Sequence, residues 1–372
     1  YPQNYGLITS EGGKTLLHAL TVALGGVKSF LSDHVGFGGG NLLTIQQYQL
    51  LGGNLDKTKK LYVYGGAGTG KTIVALQRGG KIRNKLRCPQ EGGLYVCENQ
   101  PLRDGGEQKN ICQGGTRVAF LKASFNGGEH IIIDEAQSFQ DGEGDWYNKA
   151  LTLTSSPDLP EPGFFWIFLD YLQTSHCFPT GLPEAKWHDP VESLTKVVRN
   201  ANSIYSYLKE NMEKIVECST LDIPKQRLKT LLRRATHTHA VQGCVEIVRR
   251  LDRNGIVRYV AEHCHTYLKN GYSEKDIAIL CYRDEEVRAY YGILTSEMKN
   301  SNIVLSKMEG AREEHAILDS IRRFSGLERS IVFGIIPQSF SFQKEIFNNI
   351  LVCVASRANL HLHLLFGGEK QV

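Results

Sequence analysis

The sequence has little net charge, no long apolar run and no closely spaced pair of cysteines. Its 43 lysines and arginines nearly balance 39 aspartates and glutamates, so the formal net charge is only +4. Any contact with nucleic acid must therefore come from local basic patches rather than from bulk charge. No apolar run approaches the ~18 to 20 residues of a membrane span, so no membrane partner is expected. Since the chain starts at Tyr1 and has no secretory signal, we expect a fragment of a longer protein.

The cysteines and histidines favour an intracellular protein over a disulfide or zinc framework. The nine cysteines are scattered and form no Cys-x-x-Cys pair, which is typical of reduced thiols in a nuclear or cytoplasmic protein, with the nucleus slightly favoured. The nearest approach to a metal-ligand cluster is His237 with His239, and then His263-Cys264-His265. Solvated histidines on helix faces are favoured there over a zinc site.

A glycine-rich segment between two apolar runs predicts a phosphate-binding P-loop. The glycines allow consecutive backbone N–H groups to turn toward an anion, and the helix that follows presents its positive end to the same place. Lys71 is expected to reach the β- and γ-phosphates of ATP, and the Thr72 hydroxyl is expected to hold Mg²⁺. The nucleotide-binding segment comprises Gly65, Gly66, Ala67, Gly68, Thr69, Gly70, Lys71 and Thr72.

A second apolar run ends in two carboxylates. Residues 130–133 read as a buried strand, and Asp134 and Glu135 follow it directly. Asp134 is expected to hold the Mg²⁺ through water, and Glu135 to orient and deprotonate the water that attacks the γ-phosphate. An ordinary strand that ends in a solvated acidic turn is the weaker interpretation once the P-loop precedes it.

Alternating strands and helices predict an α/β fold with two parallel sheets flanked by helices and a cleft between two lobes for ATP. A helical segment, 1–60, is expected to pack on a first lobe, 61–185, and a second lobe spans 186–372. A proline-bearing stretch, 179–190, is the expected hinge. Predicted strands are 61–64, 94–97, 130–134, 164–169, 242–248, 276–281, 302–306, 331–336 and 360–366. Predicted helices of the second lobe are 192–213, 254–270, 284–299 and 342–349.

The order of further polar groups favours a motor-type ATPase over a GTPase. A GTPase base reader needs Asn-Lys-x-Asp, and Asn148-Lys149-Ala150-Leu151 lacks the aspartate. Upstream of the P-loop, the Gln47 amide is suited to an adenine edge. Gln173, after the strand at 164–169, is expected to sense the γ-phosphate. Arg199 and Arg357 in the second lobe are expected to clamp that phosphate and couple hydrolysis to lobe closure.

With these motifs in order, the chain resembles superfamily-1 helicases and, more closely, the C-terminal helicase-like region of the long Schlafen proteins. The closer resemblance rests on the runs at 94–103, 137–139, 144–147, 166–171, 173–176, 198–201 and 319–334. It implies two RecA-like ATP-binding domains, a nucleotide contact from Glu328, and single-stranded RNA, tRNA or DNA as partner. It also implies an upstream RNA-cleaving core in the same polypeptide, a possible homodimer and links to antiviral responses.

Departures from the helicase pattern leave two functions open. Ser325 stands where a lysine is usual, Ser356 where a threonine is usual, and the short segment between Gln100 and His130 has no room for a duplex-splitting subdomain. One hypothesis is an ATPase that closes on single-stranded nucleic acid. The alternative is a catalytically weak, nucleotide-gated module that regulates the nuclease core or its dimerisation.

Overall fold

The computed structural model describes residues 43–52, 58–86, 93–98, 113–122, 129–142, 144–237, 241–299, 302–308, 314–337 and 344–368. The chain forms two compact units, residues 1–54 and 55–372. In the first, the described residues form helix α1 (Ile45–Gly52). Thr44 and Gln47 cap its start, because the Thr44 N–H donates to Gln47 Oε1 at 2.8 Å and the Gln47 N–H donates to Thr44 Oγ1 at 3.2 Å. The rest of the predicted segment 1–60, apart from 58–60, lies outside the described residues.

The second unit contains two six-stranded sheets in which every strand pairing is parallel. In the first sheet the strand order is β3-β2-β4-β5-β1-β6. Its elements along the chain are β1 (Lys60–Gly65), α2 (Lys71–Leu86), β2 (Gly93–Cys97), β3 (Gln113–Thr116), α3 (Arg117–Lys122), β4 (His130–Ile133), α4 (Trp146–Thr154), β5 (Phe165–Leu169) and β6 (Val191–Leu194).

The second sheet has the strand order β11-β12-β10-β13-β14-β9. Strands β7 and β8, which precede β9 along the chain, form a separate two-stranded parallel ribbon. The elements are β7 (Lys196–Val197), α5 (Asn202–Cys218), α6 (Lys225–Arg234), β8 (Thr236–His237), β9 (Cys244–Leu251), α7 (Arg253–Lys269), β10 (Ile277–Cys281), α8 (Asp284–Lys299), β11 (Leu305–Ser306), β12 (Ala316–Ser320), β13 (Arg329–Ile336), α9 (Phe347–Ala355) and β14 (Ala358–Gly367).

Both sheets are covered on two faces, which explains why their central strands read as continuous apolar runs. In β10, Ala278 and Leu280 face a core shared with α5 and α9. Ile277 and Ile279 face a second core with α7 and α8. In the first sheet α2 packs on β2, β4 and β5, and the buried Arg78 of this helix lies 3.9 Å from the centre of the Trp166 ring. The predicted α/β class with two parallel sheets is confirmed, and this is the architecture of RecA-like domains.

Several predicted elements need correction. The helix expected over 192–213 is wrong in its first part, because Val191–Leu194 is strand β6 and α5 starts only at Asn202. Pairing of β6 with β1 outweighs the helical spacing. Strands β3 and β12 were not predicted, the strand at 302–306 shortens to Leu305–Ser306, and α9 ends at Ala355, beyond the predicted 349. The lobe boundaries at residues 60 and 185 stay predictions.

None of the helices in the described ranges combines the length and the apolarity that a bilayer span requires.

Candidate nucleotide site

The P-loop joins the carboxyl end of β1 to the start of α2. Gly68 and Gly70 have φ angles of 71° and 79°, in the left-handed region that favours glycine. A Cβ at Gly65 would come within 2.6 Å of the Thr69 hydroxyl oxygen, so this close approach also requires glycine. The buried Lys71 ammonium donates to the Gly65 carbonyl at 2.9 Å. The Lys71 side chain therefore folds back over the P-loop and is hydrogen-bonded to it.

Asp134 and Glu135 are buried at the carboxyl end of β4. The Tyr95 hydroxyl donates to Asp134 Oδ2 at 2.8 Å. Burial, assisted by the neighbouring Glu135 charge, raises the pKa of Asp134 to about 6, while the Thr72 side chain acts to lower it. The two predicted Mg²⁺ ligands, Thr72 and Asp134, therefore lie near each other.

Glu135 has a strained backbone and a stabilised charge. Its φ of 55° is left-handed, which costs on the order of 1–3 kcal/mol in a residue with a side chain and is common at functional sites. Burial acts to raise the pKa of Glu135, but the charges of Lys71 and Arg357 and a hydrogen bond from Gln137 outweigh it and lower the pKa overall. Glu135 is thus kept ionised among cations from both sheets.

A chain of hydrogen bonds leads from Glu135 to the second sheet. The Gln137 amide donates to Glu135, and Gln137 Oε1 accepts from the Asp170 N–H at 2.8 Å. Gln173 Nε2 donates to Asp170 Oδ2 at 2.7 Å. Gln173 Oε1 in turn accepts from the Ser356 hydroxyl, between α9 and β14, at 3.0 Å. In this series of hydrogen bonds, Gln173 is therefore the residue that links the two sheets.

Sequence reasoning did not name Asp170 or Gln137 as site residues. Asp170 follows the buried strand β5 just as Asp134 follows β4, and its carboxylate lies 3.8 Å from Lys71 Nζ. Burial raises the pKa of Asp170, although Lys71 opposes that shift. A carboxylate at the carboxyl end of a second buried strand is the signal that would have identified it.

Arg199 and Glu328, predicted to act on the nucleotide separately, form an ion pair with each other. Arg199 Nη1 also donates to the Ser356 carbonyl at 3.3 Å. The backbone next to Arg199 lies on the P-loop, because the Val198 N–H donates to the Gly68 carbonyl at 3.0 Å. The structure therefore brings this arginine to the P-loop, with its charge held by Glu328.

Arg357 is fully buried at the start of β14 and contributes to the lowered pKa of Glu135. Its Nη2 donates to the Ser325 hydroxyl at 3.3 Å. Among the described residues its Nε has no hydrogen-bond partner. Burial lowers the pKa of this guanidinium. Of the two departures from the helicase pattern, Ser356 therefore contacts the first sheet through Gln173, and Ser325 contacts Arg357 on the second sheet's own side.

Gln47 belongs to the 1–54 unit, where its side chain caps α1. The rings of Tyr171 and Phe324 belong to the core, since Tyr171 is 8% exposed and Phe324 is 0% exposed, so neither is placed to stack on a base. The lysines and arginines of α6 are mostly exposed, while Arg227 turns inward and its guanidinium lies 5.3 Å from the centre of the Tyr64 ring.

The residues present fit a magnesium-bound triphosphate. The glycine cradle leaves no room for Cβ atoms at Gly65 and Gly68. The buried and unpartnered Nε of Arg357 is a donor aimed at no group of the described chain. Together with Lys71 and the Asp134–Thr72 pair, the site offers the cations, N–H groups and carboxylate that this ligand requires.

The chain matches no known protein-family model. It is similar to solved helicase structures. The C-terminal domain of a possible DNA helicase from Lactobacillus plantarum WCFS1 has 16% identity and a TM-score of 0.31, over 46% of this chain and 88% of that one. The PRRSV helicase has 11% identity and a TM-score of 0.42, and the match covers 90% of this chain and 58% of that one. Arterivirus nonstructural protein 10, a helicase solved with DNA, has 12% identity and a TM-score of 0.41, and the match covers 86% of this chain and 62% of that one. The chain thus spans about three fifths of these two viral chains.

Proposed function

We propose that this chain is an ATP-binding and ATP-hydrolysing module of superfamily-1 helicase type, from a Schlafen-like intracellular protein, that closes on single-stranded RNA or DNA. The observation that carries the proposal is the hydrogen-bond chain from Glu135 through Asp170 and Gln173 to Ser356. It connects a carboxylate beside the P-loop with the sheet that supplies Arg199 and Arg357. An upstream nuclease core is part of the same proposal.

Each residue has a defined task in this mechanism. Magnesium-bound ATP supplies an electrophilic γ-phosphorus whose charge the metal partly neutralises. Lys71 would leave the Gly65 carbonyl to bind phosphate oxygens, and Thr72 and Asp134 would hold the metal. Glu135, ionised because its pKa is lowered, orients the attacking water and accepts its proton.

The two arginines balance the negative charge that grows during phosphoryl transfer. Arg357 is already desolvated and close enough to Glu135 to affect its pKa, so it needs little movement. Arg199 has to exchange its Glu328 partner for the γ-phosphate. Arg357 directly precedes β14, and Arg199, between β7 and α5, is paired with Glu328 at the start of β13. Because both arginines are held on the side of the second sheet, their engagement tightens the contact between the sheets, and Gln173 transmits that change.

The exposed face of α6 supports the nucleic-acid partner. Lys225, Lys229 and Arg233 follow one another at intervals of four residues and are exposed, while Leu228 and Leu232 bury the opposite face. The start of α6 also lines a cavity of about 800 Å³ together with the largely exposed Phe178 ring. A row of cations beside an exposed aromatic ring suits a phosphate backbone and a stacked base. The same cavity is lined by Asp141, Glu184 and Asp222.

The decisive experiment measures ATP binding and steady-state hydrolysis with and without single-stranded oligonucleotides at low salt. Lys71→Ala should abolish binding, and Glu135→Gln should keep magnesium-dependent binding but slow hydrolysis by roughly 100-fold or more. Lys209→Ala, on the exposed side of α5, is the matched control and should behave as wild type. Hydrolysis that neither responds to nucleic acid nor depends on Lys71 would contradict the proposal.

One observation favours the second function, a nucleotide-gated regulator with slow hydrolysis. Two groups that should bind phosphate are engaged within the protein: Lys71 with the P-loop carbonyl, and Arg199 with Glu328. Binding of ATP must displace these contacts. The main effect of the nucleotide would then be a change in the arrangement of the sheets, and its hydrolysis would be slow. Rapid turnover by the isolated chain would exclude this function, whereas tight binding with slow turnover would support it.

A further inference from the structure

A second group of chemically reactive side chains lies on the second sheet, on the face that α7 covers. Glu246 of the edge strand β9 is the register partner of His363 in β14. Two residues earlier on the same face, Cys244 is the partner of His361. This layer between a helix and a parallel sheet is usually apolar, and here it carries imidazole, carboxylate and thiol groups instead.

Helix α7 adds a third element to this face. Tyr259, His263 and Tyr267 are spaced four residues apart, so they lie on one side of the helix. Ligand atoms of Glu246, His263 and His363 all lie within 4.8 Å of one another. It was expected that the histidines of the 263–265 run would be solvated. His263 is instead half-buried, and only His265 is exposed.

The surrounding hydrogen bonds orient these side chains as metal ligands are oriented. His263 Nδ1 donates to the Tyr259 carbonyl at 2.8 Å, which leaves the Nε2 lone pair free for another partner. His363 Nε2 hydrogen-bonds to the Tyr267 hydroxyl at 2.8 Å, which leaves Nδ1 on the side of Glu246. The Tyr259 hydroxyl donates to Glu246 Oε2 at 2.7 Å. Every candidate ligand therefore has a partner that fixes its orientation.

We propose that Glu246, His263 and His363 form a binding site for a divalent transition-metal ion, with Zn²⁺ as the best match. Two imidazoles and one carboxylate are a common zinc ligand set that leaves a fourth position open for water or another group. Ligand bonds of about 2.1 Å place tetrahedral ligand atoms about 3.4 Å apart, so the side chains must close by roughly 1 Å. Glu246, with a 45% exposed side chain on an edge strand, has the freedom to do so.

The protonation states agree with this geometry. Burial lowers the pKa of His363 to about 4, so its imidazole is neutral at physiological pH. A hydrogen bond from Tyr259 is the largest cause of the lowered pKa of Glu246, which is ionised. Neutral imidazole and ionised carboxylate are the forms that bind metal. Because the Tyr259 hydroxyl gives its proton to Glu246, the 3.0 Å contact between Tyr259 and His363 Nδ1 is a hydrogen bond that the imidazole N–H donates. Metal binding at Nδ1 displaces this bond and moves the proton to Nε2, which then donates to the Tyr267 hydroxyl.

The test is a titration of metal-depleted full chain with Zn²⁺ against a chromophoric chelator, with excess Mg²⁺ present to occupy the carboxylates of the nucleotide site. We expect one tight zinc site per chain. Glu246→Gln and His263→Gln should each weaken it by about 10- to 100-fold or more. His265→Gln, two residues along α7 and exposed, is the matched control and should leave it unchanged. Co²⁺ should give visible d–d absorption that the first two variants lose.

The variants also separate loss of ligand from loss of fold. Glu246 is exposed, so Glu246→Gln should retain the circular dichroism and the thermal midpoint of the metal-free wild type. Zn²⁺ should raise that midpoint in wild type and in His265→Gln but not in the two ligand variants. The proposal is overturned if wild type binds no zinc more tightly than the two ligand variants, or if a thiolate-to-cobalt charge-transfer band shows that scattered cysteines hold the metal.

Discussion

The two sheets share one architecture but carry their polar groups at opposite ends. In the first sheet, the P-loop, Asp134 and Asp170 follow the carboxyl ends of β1, β4 and β5. In the second sheet, Glu328 and Arg357 precede the amino ends of β13 and β14. The acidic and phosphate-binding groups of one sheet therefore meet the cations of the other.

This difference assigns different tasks to the two sheets. Under the proposed function, the first sheet supplies the groups that would bind phosphate and metal, so it should bind nucleotide by itself. The second sheet would add charge that matters only when hydrolysis develops negative charge on the phosphate. Removing groups from each side should therefore separate binding from turnover.

Loss of Arg357 should have the largest effect on turnover. Arg357→Met fills a similar volume without charge, and by analogy with other arginines that face a γ-phosphate it should slow hydrolysis by roughly 10³-fold. Nucleotide affinity should change by less than about 10-fold, since Lys71 and the P-loop are intact. Single-turnover hydrolysis and equilibrium binding of a fluorescent ATP analogue measure the two quantities. Equal losses of binding and turnover would show that the second sheet contributes to the ground state as well.

Replacing Asp134 should stabilise the nucleotide-free protein while removing its magnesium-dependent hydrolysis. The carboxyl has a pKa of about 6 in the folded protein against 3.8 ordinarily. Between those values the folded state binds a proton that the unfolded state does not, so this group's contribution to the free energy of unfolding falls as pH rises toward 6. The total loss is up to about 3 kcal/mol, fully present above pH 6.

Urea unfolding of wild type and Asp134→Asn from pH 5 to 8 measures this contribution. The variant should be the more stable protein at pH 7, and the difference should shrink toward pH 5, where the wild-type carboxyl is protonated. Other titrating groups, including Asp170, are common to both proteins and cancel in the difference. A difference that does not change with pH would contradict the raised pKa.

Gln173→Ala should have a smaller and more specific effect. It removes the hydrogen bonds to Asp170 and to Ser356 at once, and should reduce stimulation of hydrolysis by nucleic acid about 10-fold while lowering basal hydrolysis less. Ser356→Ala is the matched variant because it removes the bond from Gln173 to the second sheet and leaves that from Gln173 to Asp170; apart from this it loses only a local bond to the Cys353 carbonyl. If Gln173 is the link, the two variants should lose stimulation alike. Retained stimulation in both would mean that the sheets communicate by another route.

The first sheet was more predictable than the second for a physical reason. A buried strand that ends in a carboxylate has a local signature, and this identified β4 with Asp134 and Glu135. The same signature at β5 was present for Asp170 but was passed over in favour of Gln173. In the second sheet, Arg199 and Arg357 have no such local signature, and only the order of motifs pointed to them.

Contacts between distant segments were beyond the sequence. The Arg199–Glu328 pair and the bond between Arg357 and Ser325 depend on how β13, β14 and the 197–200 segment come together. Strand β6 was mistaken for helix because its pairing with β1 is a tertiary contact. The metal-ligand group was missed for the same reason, since Glu246, His263 and His363 come from three elements that only the fold brings to one face.

The smallest expected effect concerns the ion pairs at the surface. Arg322 pairs with Glu98 at the carboxyl end of β2, and so joins the two sheets. Its side chain is 50% exposed, and Glu98 keeps the buried Arg117 at 3.3 Å as a second partner. Arg322→Ala should therefore lower the free energy of unfolding by only about 1 kcal/mol or less.

Arg323→Ala is the matched control, because Arg323, in the turn after β12, has similar exposure but pairs at 3.8 Å with Asp284 at the start of α8, on the second sheet's own side. Its loss should cost about 0.5 kcal/mol or less, and both effects should diminish in high salt. If the Arg322–Glu98 pair holds the sheets together, Arg322→Ala should also increase the rate of ATP binding, because the groups over the P-loop then separate more readily. Arg323→Ala should leave that rate unchanged. Stopped-flow binding of a fluorescent ATP analogue distinguishes the two, and equal rates in all three proteins would place the barrier to nucleotide entry at Val198 and Glu328 instead.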